Sequence, residues 1–352
     1  MVIYIAIFFI ILVLSLIELS YNKPIKGQYK VLLSLCIVLF LMVGLRGIGY
    51  DYDSYRRIYM LARGGLAPKG IDPGFDILCS VIPSFRMLLL FMSAITFIPL
   101  YRVIKNKSDY CFLSLLLFST TFLFPTVMGQ MRQGVTIFVM CYAYFRWRDN
   151  KVVFLSLWVL CCTLHTSALL AIVLLVPVKR LFPLYVYIGL IVIALVINSA
   201  LSSIFAPFLN GLSMLEDTNV SDKLNYYNTT ETEMGVSLGF NTAVVIRCFV
   251  VIMTYFFLKR TSRDNASVLN LYFLSIFIYL SLSFIPQIGG RGSQYFSVLD
   301  LILIPHLIKE YRGFWRMSMI VLFIGLSVLR FGQFFKDDYN RQCYVPYKIE
   351  LK

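Results

Sequence analysis

Charge is scarce in this chain and histidine scarcer still. Asp, Glu, Lys and Arg make up 14% of 352 residues, and there are two histidines, His165 and His306. Soluble domains carry roughly 25% charged residues, so a soluble globular protein of this length is excluded. Two histidines also argue against a His-rich metal site. The eight cysteines do not change that picture. Cys36, Cys111, Cys141, Cys161, Cys162 and Cys248 fall inside apolar runs, where a thiol acts as a small hydrophobe. The adjacent Cys161 and Cys162 suit neither a metal site nor a redox pair. No cofactor is expected. The chain also lacks the alternating pattern of barrel strands, internal repeats and low-complexity tracts. Its first residues, Met1–Ile17, have no basic leader and no small-residue cleavage pattern, so they read as a retained helix.

What fills the chain is apolar. Hydrophobic residues reach 59%, and the mean hydropathy is +0.78. Lipid must be the solvent for most of it, and in lipid the backbone has to satisfy its own hydrogen bonds. Unbroken runs such as Val31–Val43 and Leu181–Leu201 then specify helices. The expected fold is all-α, a polytopic integral-membrane helical bundle forming one membrane domain over 1–352. About twelve spans are read, at 2–19, 31–45, 86–104, 110–127, 133–146, 152–164, 166–178, 183–202, 241–258, 267–286, 295–308 and 315–331, where 152–164 and 166–178 read equally as one tilted helix and are split because the charge pattern asks for an even crossing there. The net charge of +14 does not signal nucleic acid, because the basic residues are spread over short loops.

Those loops set the orientation. Lys23, Lys26 and Lys30 follow the first span, and Arg102, Lys105 and Lys107 the third. Arg146, Arg148 and Lys151 follow the fifth, and Lys179 and Arg180 the seventh. Lys259, Arg260 and Arg263 follow the ninth, and Lys309, Arg312 and Arg316 the eleventh. Every second connection is short and basic, hence cytoplasmic. Both ends of the chain are then expected outside, with two long outer loops at 46–85 and 207–240 and two short outer turns at Met128–Arg132 and Gly289–Gln294. The expected location is the bacterial inner membrane.

Four outer stretches carry polar residues that packing alone does not require. Arg46 is followed by Asp51, Tyr52 and Asp53 in a glycine-punctuated run. A guanidinium offers a fork that fits phosphate, and the carboxylates suit a general base. The alternative is an interfacial arginine reaching for water, with aspartates forming turns. Arg132 opens a helix, where it opposes the helix dipole and so does not stabilise that helix, and it is flanked by Gln130 and Gln133. His165 lies in Leu164-His-Thr-Ser167 and suits a general base, or is a structural histidine. Arg291 lies among glycines at an expected outer turn, a backbone nest for an anion or a simple turn. His306 approaches the cytoplasmic end of its span and is read as structural. Arg247, a third of the way into an apolar span, is a weaker cationic candidate. Arg46, Asp51, Asp53, Arg132, His165 and Arg291 all fall on the outer face by the loop count. The anion that joins several arginines at that depth is a lipid-linked phosphate or pyrophosphate.

These motifs resemble the EpsG family of Wzy-like O-antigen and exopolysaccharide polymerases. Arg46 to Tyr55 resembles the family's first outer loop. Asp72-Pro-Gly-Phe75 resembles its acidic-Pro-Gly-Phe element, with Asp where Glu is usual. Met131-Arg-Gln-Gly134 and Leu164-His-Thr-Ser167 resemble two further signatures, and Gly290-Arg291 with Tyr295 the late arginine turn. The resemblance implies a GT-C-like glycosyltransferase acting without metal. Its substrate would be an oligosaccharide on undecaprenyl pyrophosphate, held among membrane lipid, with a chain-length regulator as a candidate protein partner. It implies that Arg46, Arg132 and Arg291 bind the pyrophosphate. Asp53 or His165 would be the base, with Asp51 beside them, and Tyr52, Gln133 and Tyr295 would position substrate. Two readings compete. A flippase for the lipid-linked unit would place charges near the bilayer midplane. A membrane acyltransferase would need a histidine near a carboxylate, and His165 has no acidic neighbour in sequence.

Overall fold

The computed structural model describes residues 1–21, 25–66, 71–176, 178–213, 241–261, 266–284 and 286–349. Most of the expected outer loop 207–240, together with Lys23 and Arg263, lies outside these residues. Among the described residues the chain is helical and forms no strand beyond one isolated bridge, Arg46 with Ile349. Five helices are long and apolar enough to cross a bilayer: Val2–Tyr21, Phe85–Lys107, Leu184–Ile204, Thr242–Thr261 and Gly313–Lys336. Four shorter apolar helices accompany them, at Gln28–Gly44, Lys151–Leu164, Thr166–Leu175 and Ser267–Ser281. The protein is thus a multi-pass membrane protein built of helices.

The chain divides into two compact units, 1–175 with 298–352, and 176–297. The first contains α1 (Val2–Tyr21), α2 (Gln28–Gly44), α3 (Tyr52–Arg63), α4 (Pro73–Val81), α5 (Phe85–Lys107), α6 (Cys111–Thr121), a π-turn segment (Leu123–Gly129), α7 (Met131–Trp147), α8 (Lys151–Leu164) and a 3-10 stretch (Thr166–Leu175). In the second lie α9 (Leu184–Ser213), α10 (Thr242–Thr261), α11 (Ser267–Ser281) and α12 (Pro286–Ser297). The first unit is completed by α13 (Asp300–Glu310), α14 (Gly313–Lys336) and α15 (Asp338–Tyr344).

Several elements differ from the sequence expectation. The outer loop 46–85 carries two helices. In α3 the buried residues are Tyr52, Tyr55, Tyr59 and Ala62, one stripe of an amphipathic helix. With Phe75 and Cys79 of α4, these residues join a core with Phe85, Leu88, Leu89 and Met92 of α5 and Met131 and Val135 of α7. The expected span 110–127 is broken, with α6 and the π-turn segment meeting at 68°. Pro125 lies in that segment and has no backbone N–H to continue a regular helix. The outer turn expected at Gly289–Gln294 is helical, as part of α12, and the expected span 295–308 is divided between α12 and α13. Glycine weakens an isolated helix by about 1 kcal/mol, but here it admits close packing. A Cβ on Gly289 would stand 2.9 Å from the Leu282 carbonyl oxygen.

Within the first unit, polar groups separate to opposite ends of the helices. At one end Glu18, 2% exposed, accepts hydrogen bonds from the backbone N–H groups of Cys111 (2.7 Å), Phe112 (2.8 Å) and Leu113 (3.2 Å). A carboxylate from α1 therefore caps the positive end of α6. Nearby in chain order, Asp109 accepts from Lys309, and its carboxylate lies 2.8 Å from His306 Nδ1. Arg316 donates to the Leu19 carbonyl (2.8 Å). The start of α1 is tied to other partners, Tyr4 donating to the Tyr344 carbonyl (3.1 Å). The basic last turns of α5 and α7, with Lys105, Lys107 and Arg146, point away from the ends that carry Phe85 and Met131. Glu18→Ala leaves three buried N–H groups without their acceptor. It is expected to destabilise the first unit by about 3 kcal/mol, read as a lowered melting temperature in detergent, with Glu18→Gln losing less.

Candidate functional site

The site begins where α4 meets α8. Asp72 occupies the N-cap position of α4, with Pro73 behind it. Its side chain makes no cap bond to its own helix and reaches outward instead. It accepts from Arg132 Nη1 at 2.6 Å and from Thr166 Oγ1 at 2.6 Å. His165 Nδ1 lies 3.6 Å from the same carboxylate. Gly74 makes this contact feasible, because any Cβ there would collide with Thr163 near the end of α8. His165 follows directly, in extended backbone (φ −159°, ψ 118°), and separates α8 from the 3-10 stretch. Its N–H still donates to the Cys161 carbonyl (2.9 Å).

Arg132 is the second residue of α7, following the bent span. Its guanidinium lies over the rings of Phe75 (5.2 Å) and Tyr55 (5.7 Å). Cation–π attraction of this kind is worth about 0.5–2 kcal/mol, more where water is excluded. The side chains of Arg132, Asp72 and His165 are 20%, 13% and 16% exposed, so the cluster is enclosed but reachable. A positive charge at a helix N-terminus is unfavourable alone, and Asp72 offsets it. Burial pushes the Asp72 carboxyl up, but the nearby His165 ring, the hydrogen bond from Thr166 and the charge of Arg132 outweigh it. Asp72 therefore sits below its ordinary value.

Arg46 stands beyond the end of α2 and is 1% exposed. Nη1 donates to the Val43 carbonyl (2.7 Å), a favourable position for a cation at a helix C-terminus. Nε and Nη2 have no hydrogen-bond partner. The groups acting on it electrostatically are four phenols, Tyr344, Tyr55, Tyr347 and Tyr4. Burial lowers its pKa, and these phenols oppose the fall. The segment after α15 covers it. Gly47 N–H donates to the Lys348 carbonyl (2.8 Å), and Tyr347 donates to the Met42 carbonyl (2.8 Å). Tyr55 is an electrostatic neighbour of Arg46 and of Arg132 alike.

The other sequence candidates are placed as follows. Asp51 takes the N-cap position of α3 and is partly buried. Asp53 is in the first turn of α3 and is exposed. Tyr52 is buried with its ring 5.5 Å from that of Phe85. Gln133 is buried in α7, 1% exposed. Arg291 and Tyr295 belong to α12 in the unit 176–297, Arg291 partly buried and Tyr295 buried. The structure thus brings Arg132 and His165 together at Asp72. Sequence reasoning gave no role to Asp72 or Thr166. The signals for them were an acid before Pro-Gly and a hydroxyl beside the histidine. The absence of an acidic neighbour for His165 holds in sequence only, since Asp72 supplies one across the fold.

A multi-pass helical membrane protein with an arginine, a histidine and an aspartate gathered where three segments meet defines the class. A family model described as EpsG family matches residues 29–349, so the chain belongs to the EpsG family, whose members are Wzy-like polymerases. No curated protein and no solved structure matches the chain.

The Asp72 shift has a signed consequence. Its folded value lies below its unfolded value of about 3.9, so the carboxylate's contribution is present above that pH and is lost as pH falls through the folded value. Melting temperatures of the wild type and Asp72→Asn in detergent are expected to differ at pH 7 and to converge below about pH 4. A gap that stays constant down to pH 3 contradicts this.

Proposed function

We propose that this protein is a polysaccharide polymerase. It moves a growing glycan from undecaprenyl pyrophosphate to a new lipid-linked repeat unit at the extracytoplasmic face of the bacterial inner membrane. The observation that carries the reading is the Asp72–Arg132–His165 cluster, in a chain of a Wzy-like family. The sidedness is supported by the basic ends of α5 and α7, which lie at the opposite ends of those helices from the cluster. The five long helices, the bent pair and the four shorter apolar helices offer ten candidate crossings among the described residues, against the about twelve of the proposed GT-C-like bundle.

In the proposed reaction the acceptor sugar's hydroxyl oxygen attacks the donor's anomeric carbon. The bond from that carbon to the pyrophosphate oxygen breaks, and undecaprenyl pyrophosphate leaves with the electron pair. Arg132 meets the charge developing on the leaving group, preorganised by Asp72 and by the rings of Phe75 and Tyr55. Arg46, across Tyr55, adds positive potential. His165 takes the acceptor proton. Asp72, 3.6 Å from Nδ1, favours the tautomer with its proton on Nδ1 and leaves Nε2 as the base. Asp53 is the alternative base, on the exposed face of α3, with Asp51 before it. Tyr52 and Gln133 would shape the acceptor's seat.

The His165–Asp72 pair favours a second reading, acyl transfer to a surface sugar, since a histidine oriented by a carboxylate also serves that chemistry. One experiment separates the readings. A strain lacking the gene is complemented with Arg132→Ala, Arg132→Lys and His165→Ala, and its glycolipids are resolved on gels. Under the polymerase reading, Arg132→Ala lowers extension by about 10²–10³-fold and His165→Ala by about 10²–10⁴-fold. Single capped repeats then remain, and Arg132→Lys keeps a partial ladder. Ladders of normal length but altered chemistry indicate acyl transfer. Loss even of the single repeat indicates a flippase.

A further inference from the structure

The unit 176–297 contains a charge that the proposed reaction does not explain. Arg247 is the sixth residue of α10, about 8 Å into an apolar helix and about 18 Å from the basic pair Lys259 and Arg260 at its far end. It is partly buried, and its helix neighbours Val245 and Ile252 are exposed on the apolar outside. No Asp or Glu occurs among the described residues of this unit. Arg247 therefore has no carboxylate there to neutralise it. A cation at this depth is costly unless it is paired, and so marks a site rather than a filler.

The surroundings consist of hydroxyls. Arg247 Nη1 is 3.4 Å from Ser293 Oγ on α12 and 3.5 Å from the Ser275 carbonyl on α11, both at the outer limit of a hydrogen bond. Its guanidinium lies 5.5 Å over the Tyr279 ring. The Tyr279 hydroxyl accepts from Asn241 Nδ2 at 2.5 Å, which leaves its own proton to donate. The Ser275 hydroxyl is fully buried and has no hydrogen-bond partner. Asn241 caps α10 through Oδ1, accepting from Ala243 and Val244 N–H (3.1 Å each).

A purely structural arginine joining three helices would have short, saturated bonds. Long bonds, a free phenol proton and an unused hydroxyl describe a half-made anion site. A carboxylate engaged by the guanidinium fork must share its two oxygens with any hydroxyl that joins it. A phosphate has a third oxygen for the hydroxyls. We propose that Arg247, with Tyr279 and Ser293, forms a binding site for a phosphate-bearing group within the unit 176–297. The site lies where α10 meets α11 and α12 and does not depend on the transfer reaction proposed above.

Native mass spectrometry of the full chain released from detergent micelles tests this. The probes are phosphatidylglycerol, phosphatidylcholine and inorganic pyrophosphate, each alone. The wild type is expected to retain phosphatidylglycerol at least about tenfold better than phosphatidylcholine, and Arg247→Gln to lose that preference. Arg247→Lys keeps part of it. Retention of pyrophosphate but not of phosphatidylglycerol supports the same phosphate site with a soluble source. Binding that is equal in the wild type and Arg247→Gln, or a wild type that retains neither probe, overturns the proposal. If Arg247→Gln does not fold, Tyr279→Phe and Ser293→Ala decide. Each should weaken retention, and unchanged retention in both overturns it. Arg132→Ala should retain phosphatidylglycerol as the wild type does, and pyrophosphate counts for this site only where Arg247→Gln loses it and Arg132→Ala keeps it, so the outcome is separable from the polymerase reading.

Discussion

One ion pair organises the candidate site. Arg132 is placed at the positive end of α7, where its own helix repels it, and Asp72 is the group that makes that position tenable. The consequences spread from this contact. Asp72 is drawn out of its capping role on α4, which leaves its second oxygen for Thr166 and its flank for His165. The π-face contacts with Phe75 and Tyr55 keep the guanidinium flat and enclosed. An arginine held in this way is neutralised yet not buried beyond reach. A doubly charged leaving group could compete for it at little cost in reorganisation.

Arg46 shows the other solution to the same problem. It has no carboxylate among the groups that act on it. The Val43 carbonyl near the end of α2 takes one of its hydrogen bonds, and the segment around Lys348 closes over it. A carbonyl dipole stands in for a counter-ion there, and two of the buried guanidinium's nitrogens are left without a protein partner. Glu18 is the mirror case, a buried carboxylate satisfied by the N–H groups of a helix start. In a chain so poor in charge, helix ends supply much of the electrostatic partnering.

The sequence carried the helical membrane class plainly, because length and hydropathy depend on each segment alone. It left 152–178 open as two spans or one tilted helix, and the structure has extended backbone between the two segments at His165. It missed features set by contacts between distant segments. Asp72 is 60 residues from Arg132 and 94 from Thr166, and nothing local assigns it a partner. Gly289 to Gly292 looked like a turn because glycine breaks isolated helices, whereas close packing against Leu282 makes a helix there favourable. The helix α3 was legible in principle from the spacing of Tyr52, Tyr55, Tyr59 and Ala62, but its polar face and glycine flanks made it look like a loop.

A double-mutant cycle on glycan extension tests the Asp72–Arg132 pair most directly. Asp72→Asn, Arg132→Gln and the combined variant are compared in one strain, with membrane levels of each protein equalised. If the pair is the organising contact, the combined variant is no worse than the poorer single variant, because the second change removes a group already disabled. Losses that simply multiply would contradict the account, since the two side chains would then be acting separately.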